Sequence, residues 1–125
     1  MVDKKERDPL MERIIGCCFK VHTALGPGFR EHVYHNALKI ALEQAKLEFK
    51  TERVFDVYYS NELVGTYRAD LVVEGDVIIQ IKAVVSFMPK IFESQLLSYL
   101  KASKIHVGLL ANFGNRKCFI KRYVA

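Results

Sequence analysis

The stretch that decides the fold is YRADLVVEGDVIIQIKA, residues 67–83. It contains two runs rich in apolar and β-branched residues, separated by the turn-forming residues EGD, and this pattern is typical of a β-hairpin. Because successive side chains of a strand point to opposite faces, the length of the turn decides which residues share a face. A three-residue loop places Val73 opposite Val77 and Asp70 opposite Gln80.

This register separates the hairpin into an apolar face and a mixed face. The apolar face is predicted to contain every odd-numbered position, namely Tyr67, Ala69, Leu71, Val73, Val77, Ile79, Ile81 and Ala83. The mixed face contains Arg68, Asp70, Val72, Ile78, Gln80, Lys82 and Val84. A two-residue turn would instead push polar groups into the core, where an unpaired charge is costly. We therefore predict that Asp70, Gln80 and Lys82 converge on the mixed face.

The mixed face has two interpretations. On a solvated face, Asp70 and Lys82 would form a surface ion pair that contributes little to stability. However, Val72, Ile78 and Val84 share the face, which indicates that a helix partly covers it. A carboxylate, an amide oxygen and an ammonium group are also what a hard metal ion and a polarised water require.

The rest of the chain predicts helices on either side of this hairpin. Asp8 is a candidate N-cap for a helix that starts at Pro9 and ends before Gly26. The other predicted helices run from about Arg30 to about Phe49 and from Pro89 to about Ala102; the strands are Arg53–Tyr59, Gly65–Val73, Val77–Val85, Ile105–Ala111 and Lys117–Val124. The order ααβββαββ predicts an α/β fold with a mixed sheet flanked by helices, formed by residues 1–125 as a single domain.

Composition limits the classes of function. The 125 residues contain no apolar run long enough to cross a membrane and no secretory signal, so we expect a cytoplasmic protein without membrane association. The net charge of +5 favours a polyanionic partner. Cys17, Cys18 and Cys118 are odd in number and lack the spacing of zinc ligands, so we interpret them as small buried hydrophobic residues.

Two motifs carry a resemblance to a known family. Asp70 followed by QIK at 80–82 resembles the D…(D/E)-x-K signature of the PD-(D/E)XK nuclease superfamily. The segment GFREHVY, with Glu31 at its centre, fits G-x-x-E-x-x-Y, and the chain resembles the GxxExxY protein family of that superfamily. Further matching segments are VHTALGPGFREHVY, YRADLVVE, IIQIKAV, QLLSYLK and VGLLANF. The resemblance implies a restriction-endonuclease-like αβββαβ core, here with an extra N-terminal helix.

The resemblance also implies a catalytic site made of Glu31, Asp70, Gln80 and Lys82. In the superfamily, carboxylates on the strands bind Mg²⁺ or Mn²⁺, which assigns metal binding here to Asp70, Gln80 and Glu31, with a contribution from the backbone of Ile81. Lys82 then takes the role of the lysine that orients the attacking water. Gln80 replaces the glutamate of many relatives, and its neutral amide oxygen should bind a cation more weakly. Glu31 has a second interpretation, since the helix dipole favours an acid in a first helical turn.

Other residues are predicted to contact nucleic acid. Gln95 and Tyr99 resemble the Q-x-x-x-Y motif of RecB-type nucleases, although Tyr99 also fits the apolar stripe of its helix. Arg68 and Lys90 are candidates for a basic rim. His22 is similar to a histidine found upstream of the RecB-type site and is an additional candidate.

Two functions follow from these residues. The first is a Mg²⁺- or Mn²⁺-dependent nuclease that hydrolyses phosphodiester bonds in DNA, and a domain of this size that cuts a duplex could do so as a homodimer. The alternative is a non-catalytic nucleic-acid-binding or assembly module that kept the nuclease scaffold, an interpretation that Gln80 supports. Loss of metal-dependent cleavage on substituting Asp70 or Lys82 distinguishes the first from the second.

Overall fold

The computed structural model of the chain describes residues 8–125, which contain three helices and five strands. In chain order these are α1 (Pro9–Leu25), α2 (Glu31–Gln44), β1 (Phe49–Tyr59), β2 (Glu62–Val73), β3 (Val77–Lys82), α3 (Ile91–Ser103), β4 (Val107–Asn112) and β5 (Phe119–Val124). The strands form one sheet in the order β1-β2-β3-β4-β5, in which only β3 and β4 are parallel. The predicted α/β fold with a mixed sheet is confirmed.

Helices cover both faces of the sheet. Helices α1 and α2 pack with the first core, in which Ile14, Leu38 and Ile79 are fully buried. Helix α3 packs with the second core through Leu96 and Leu100. Within residues 8–125, no helix combines the length and the apolar character that crossing a bilayer requires.

The cysteines belong to the first core, as predicted. Cys17 and Cys18 are buried there, and Cys118 packs against it with partial exposure. Burial raises the pKa of the Cys118 thiol to about 11. Because the thiolate is the reactive form of cysteine, a thiol that stays protonated at neutral pH fits a packing role.

The turn between β2 and β3 has the predicted length. Val73 pairs with Val77 and Val72 with Ile78, so three residues form the loop. Glu74 and Gly75 adopt positive φ angles of 55° and 70°, and the Asp76 amide donates to the Val73 carbonyl oxygen. The predicted register of this hairpin is therefore correct at its turn.

The predicted apolar face is wrong for Tyr67 and Ala69. Leu71 lies in the first core, but Ala69 is buried in the second core and Tyr67 packs against it. The alternation along β2 therefore reverses at Asp70. The physical cause is a local distortion: β1 and β2 pair on both sides of this point, but Glu52 and Asp70 are left unpaired, and Glu52 has a φ of 53°.

Two predicted boundaries in the first half of the chain also differ. The second helix ends at Gln44 rather than near Phe49, because Lys46 adopts a left-handed φ of 61° and Phe49 already belongs to β1. Strand β2 begins at Glu62 rather than Gly65, since Ser60 and Asn61 both take positive φ angles and make a tight two-residue turn. The first hairpin is therefore longer than predicted.

Strand β3 is shorter than predicted and ends at Lys82 rather than Val85. The backbone groups of Val84 are bonded to a side chain and not to a strand: its amide donates to Asn112 Oδ1 at 2.9 Å, and its carbonyl oxygen accepts from Asn112 Nδ2 at 3.0 Å. Smaller differences in the bounds of α3, β4 and β5 amount to two residues at most.

Candidate active site

The candidate site lies where β2 and β3 separate. Their pairing runs from the turn only as far as Leu71 and Ile79, whereas β3 stays paired with β4 up to Lys82. Beyond the last pair, the Ile81 amide donates to Asp70 Oδ2 at 2.7 Å, and the Asp70 amide donates to Gln80 Oε1 at 3.1 Å. Side chains thus replace the backbone ladder at this fork and hold Asp70 beside Gln80. The predicted convergence of Asp70, Gln80 and Lys82 on the mixed face is wrong for Asp70, because its side chain faces α2 whereas Lys82 contacts Phe92 of α3 on the other side of the sheet.

The Asp70 side chain opens into a small pocket that α2 closes from the other side. The pocket has a volume of about 180 Å³ and is lined by Glu31, His32, His35, Glu52, Asp70 and Ile81. Glu31 is the first residue of α2, and His35 is one turn further along the helix. The reversed alternation of β2 turns Asp70 toward this helix and brings two carboxylates predicted to act together into one pocket.

Two acids of this pocket, Asp70 and Glu31, have raised pKa values. Burial raises the pKa of Asp70, although the hydrogen bond from Ile81 and the nearby His35 and Lys82 partly oppose the shift. Desolvation likewise raises the pKa of Glu31; Lys82 opposes this shift and the charge of Asp70 adds to it. Two neighbouring acids that both lack full charge compensation make a site that attracts a cation.

Lys82 lies at the margin of the site. Its ammonium nitrogen is 4.2 Å from the centroid of the Phe92 ring, a cation–π contact with α3. It is still close enough to lower the pKa values of Asp70 and Glu31. Among residues 8–125, it forms no ion pair within 4.0 Å with either acid. Lys82 therefore adds positive potential to the pocket while its head group rests on an aromatic ring.

Sequence reasoning missed three residues of the pocket, His32, His35 and Glu52. His35 follows Glu31 by four residues, a spacing that places both on one helix face, so the signal for His35 was present in the sequence. Its Nε2 atom is hydrogen-bonded to Thr51 Oγ1 at 3.1 Å. Glu52 had no such signal, because its place opposite Asp70 depends on the register between β1 and β2.

The predicted Q-x-x-x-Y pair does not line the pocket. Gln95 is exposed on α3. The Tyr99 ring stacks on Tyr67 with centroids 4.0 Å apart and an interplanar angle of 7°, and the Tyr67 hydroxyl donates to the Tyr99 carbonyl oxygen at 2.6 Å. Tyr99 thus fills the packing position that its helical stripe indicated.

The remaining candidates have different distances to the site. Arg68 is exposed and lies 3.9 Å from the Glu52 carboxylate, which places it at the pocket rim. Lys90 is exposed at the N-cap of α3. His22 is buried outside the pocket and donates from Nε2 to the Asn115 carbonyl oxygen at 2.8 Å, so its polar group is satisfied within the structure.

The pocket offers oxygen donors of the kind that a divalent cation binds. Within residues 8–125, no group of three or more histidine, cysteine, aspartate or glutamate side chains is arranged to hold a metal ion. Asp70 and Glu31 nevertheless face one pocket with uncompensated carboxylates, the oxygen donors that Mg²⁺ and Mn²⁺ prefer. The residues present fit such an ion by chemistry and charge.

Comparisons with known proteins bear on the family and the fold of the chain. The sequence model of the PD-(D/E)XK nuclease superfamily matches residues 8–123. The chain is similar in fold to the crystal structure of SSO0001, with a TM-score of 0.57 at 20% sequence identity. The similarity covers 74% of this chain and 48% of that one, so the chain spans about half the length of this structural relative. No curated protein matches the chain significantly.

Proposed function

The chain belongs to the PD-(D/E)XK nuclease superfamily, and from this premise we propose that it is a Mg²⁺- or Mn²⁺-dependent nuclease that hydrolyses phosphodiester bonds in DNA. The observation that carries the proposal is the fork between β2 and β3, where Asp70 is held by the Ile81 amide and faces Glu31 across one pocket. Such a half-buried carboxylate is destabilising in an apo protein, and a bound cation would compensate its charge.

Each residue of the site has a role in the proposal. Asp70 and Glu31 would hold the cation, and Gln80, which does not line the pocket, fixes the Asp70 backbone through its amide oxygen. The bound cation supplies a lowered pKa for water and stabilisation of charge on the phosphate. Lys82 orients the attacking water, for which its ammonium group must leave the Phe92 ring and turn toward the pocket.

The basic rim would hold the nucleic-acid backbone. Arg68 lies beside the pocket because its guanidinium is 3.9 Å from the carboxylate of Glu52, which lines the pocket. Lys90 is exposed where α3 begins. Gln95 is exposed on the same helix, one turn beyond Ile91. Phosphate contacts of this kind position a strand without reading its sequence, so we expect binding that weakens steeply as salt concentration rises.

The test is cleavage of labelled single- and double-stranded DNA with Mg²⁺, with Mn²⁺ and with EDTA. We expect cleavage only with metal, and its loss in Asp70→Asn and Lys82→Met because these changes remove a ligand charge and the water-orienting amine. Asp76→Asn and Lys20→Met are matched controls, since both residues are exposed and neither lines the pocket. Metal-dependent cleavage that survives both site substitutions would contradict the proposal.

A second candidate, a non-catalytic nucleic-acid-binding module, is favoured by two specific observations. Gln80 already uses its amide oxygen to accept from the Asp70 amide, and Lys82 rests on Phe92. Gln80 stands where many relatives have a glutamate. If the site is inactive because this carboxylate is missing, Gln80→Glu should raise its affinity for the metal ion. Calorimetry measures the affinity of the native chain and of Gln80→Glu for Mn²⁺. A native chain that binds DNA but does not cleave it would be the non-catalytic module.

A further inference from the structure

The loop that follows β3 presents apolar side chains to solvent. The strand ends at Lys82, beside the pocket, and residues 83–90 lead to α3. Val85 is 77% exposed, and Phe87, at 93%, is the most exposed of the large hydrophobic residues described. Because a residue adds at most about 3.6 Å to an extended chain, Phe87 lies within about 18 Å of Lys82.

This loop is held in place by two asparagine side chains. Asn112, at the end of β4, bonds both backbone groups of Val84. Asn115 does the same for Ser86: its Oδ1 accepts from the Ser86 amide at 2.7 Å, and its Nδ2 donates to the Ser86 carbonyl oxygen at 3.1 Å. Four hydrogen bonds therefore fix the backbone on which Phe87 is carried.

The loop after β3 also packs closely against the loop of residues 113–118, which joins β4 to β5. No side chain fits between these two loops. A Cβ atom at Gly114 would overlap the backbone of Val84, so only glycine fits there. The Gly114 amide donates to Asn112 Oδ1 at 3.0 Å, which ties the second loop to the same clamp. Because these bonds hold the backbone of the loop, the loop cannot fold back onto the protein and bury the Phe87 ring.

The charge around Phe87 suits a polyanion. Residues 83–92 and 112–118, which form the two clamped loops and their flanks, contain no acidic residue. They contain Lys90, Arg116 and Lys117, all exposed. A flat apolar ring among cations is the combination that binds single-stranded nucleic acids, in which bases stack on aromatic side chains while cations contact phosphates.

We propose that Phe87 is a stacking platform for an unpaired nucleobase of the substrate strand, on the loop that leads from Lys82 at the margin of the site to α3. This inference rests on the proposed function and adds the substrate class: single strands, overhangs or forks rather than blunt duplex. A base inside a duplex already stacks on its neighbours on both sides, whereas an unpaired base offers a face to the Phe87 ring. The clamp by Asn112 and Asn115 keeps this ring oriented before the strand arrives.

The test is the affinity for a short labelled oligonucleotide, measured by fluorescence anisotropy in EDTA so that no strand is cut. We expect Phe87→Ala to weaken binding of the single strand by roughly 5- to 150-fold, the range for loss of one stacked base. Phe87→Leu should behave like Phe87→Ala, because leucine is apolar but does not stack, and Phe87→Trp should keep the native affinity. Blunt duplex should be affected by less than about 2-fold.

Phe19→Ala is the matched control, since Phe19 is 48% exposed but lies on α1. Single-strand affinity that is unchanged by Phe87→Ala would overturn the inference, as would an equal loss on blunt duplex. A native dimer that Phe87→Ala dissociates, with affinity for DNA unchanged, would instead make Phe87 a contact between copies. Stacking without metal-dependent cleavage would support the platform and reject the nuclease. An absence of single-strand binding would reject the platform, whereas metal-dependent cleavage decides on the nuclease separately.

Discussion

The two halves of β3 follow one another in a single strand but have opposite environments. Residues 77–79 pair with β2 on one side and β4 on the other, and their side chains are almost completely buried. Residues 80–82 pair with β4 only, and their other edge meets the side chain of Asp70. The first half has only apolar side chains, whereas the second half carries Gln80 and Lys82.

The difference shows how one strand combines stability and chemistry. Where backbone hydrogen bonds are complete on both edges, apolar side chains can be buried without leaving polar groups unpaired. Where β2 turns away, an edge of β3 is left, and a carboxylate that accepts from the Ile81 amide satisfies it. The same loss of pairing that weakens the sheet creates the pocket. We therefore expect substitutions in the two halves of β3 to differ in size, and a substitution of Asp70 at the fork to have the opposite sign.

The largest effect on stability is expected in the paired half. Ile79→Ala should lower the free energy of unfolding by about 2–5 kcal/mol, because it removes a fully buried side chain from the first core. Urea or thermal unfolding measures this change. Ile40→Ala, at an exposed position of α2, should stay within about 0.5 kcal/mol of the native chain. Equal effects at both positions would mean that the paired half of β3 has no special role in stability.

A smaller effect of opposite sign is expected at the fork. Since burial raises the pKa of Asp70 in the folded state, the folded chain binds more protons than the unfolded one between the ordinary aspartate pKa of about 3.9 and the raised value. Stability should therefore fall as pH rises through that window. Asp70→Asn removes this loss, so the variant should be more stable than the native chain above the window, by about 1.4 kcal/mol for each unit of raised pKa.

Unfolding measured as a function of pH checks this expectation. The stability curves of the native chain and of Asp70→Asn should approach each other below pH of about 3.9, where the native carboxyl is protonated in both states. Asp76→Asn, in the exposed turn of the same hairpin, is the matched control. A native chain that is more stable than Asp70→Asn at neutral pH would contradict the account of the fork.

The smallest effect is expected at Lys82. Lys82→Met keeps most of the aliphatic side chain but removes the charge above Phe92, so the free energy of unfolding should decrease by about 0.5–1 kcal/mol. The same urea titration measures it, with Lys20→Met as the exposed control. If Lys82→Met reduced stability as much as Ile79→Ala, the unpaired half of β3 would be structural, and the contrast between the two halves would fail.

Much of the fold and part of the site could be predicted from local sequence. The turn residues EGD and the alternation beside them were enough to set the register of β2 and β3 and to bring Asp70 near Gln80. Asp8 caps α1 as predicted, with its Oδ1 accepting from the Leu10 amide at 2.9 Å. These features depend on residues close in sequence, whose geometry is limited by turns, caps and side-chain periodicity.

The sequence by itself determined the order of the elements, the two apolar layers and the polar groups at the end of β3. Only the tertiary structure decided that β2 reverses its alternation at Asp70, that Glu52 and His35 join the pocket, and that Lys82 rests on Phe92. The physical reason is that each of these depends on packing between segments far apart in the chain. The break in pairing at Glu52 and Asp70, for example, lies between two strands, and the residue pattern of neither strand indicates it.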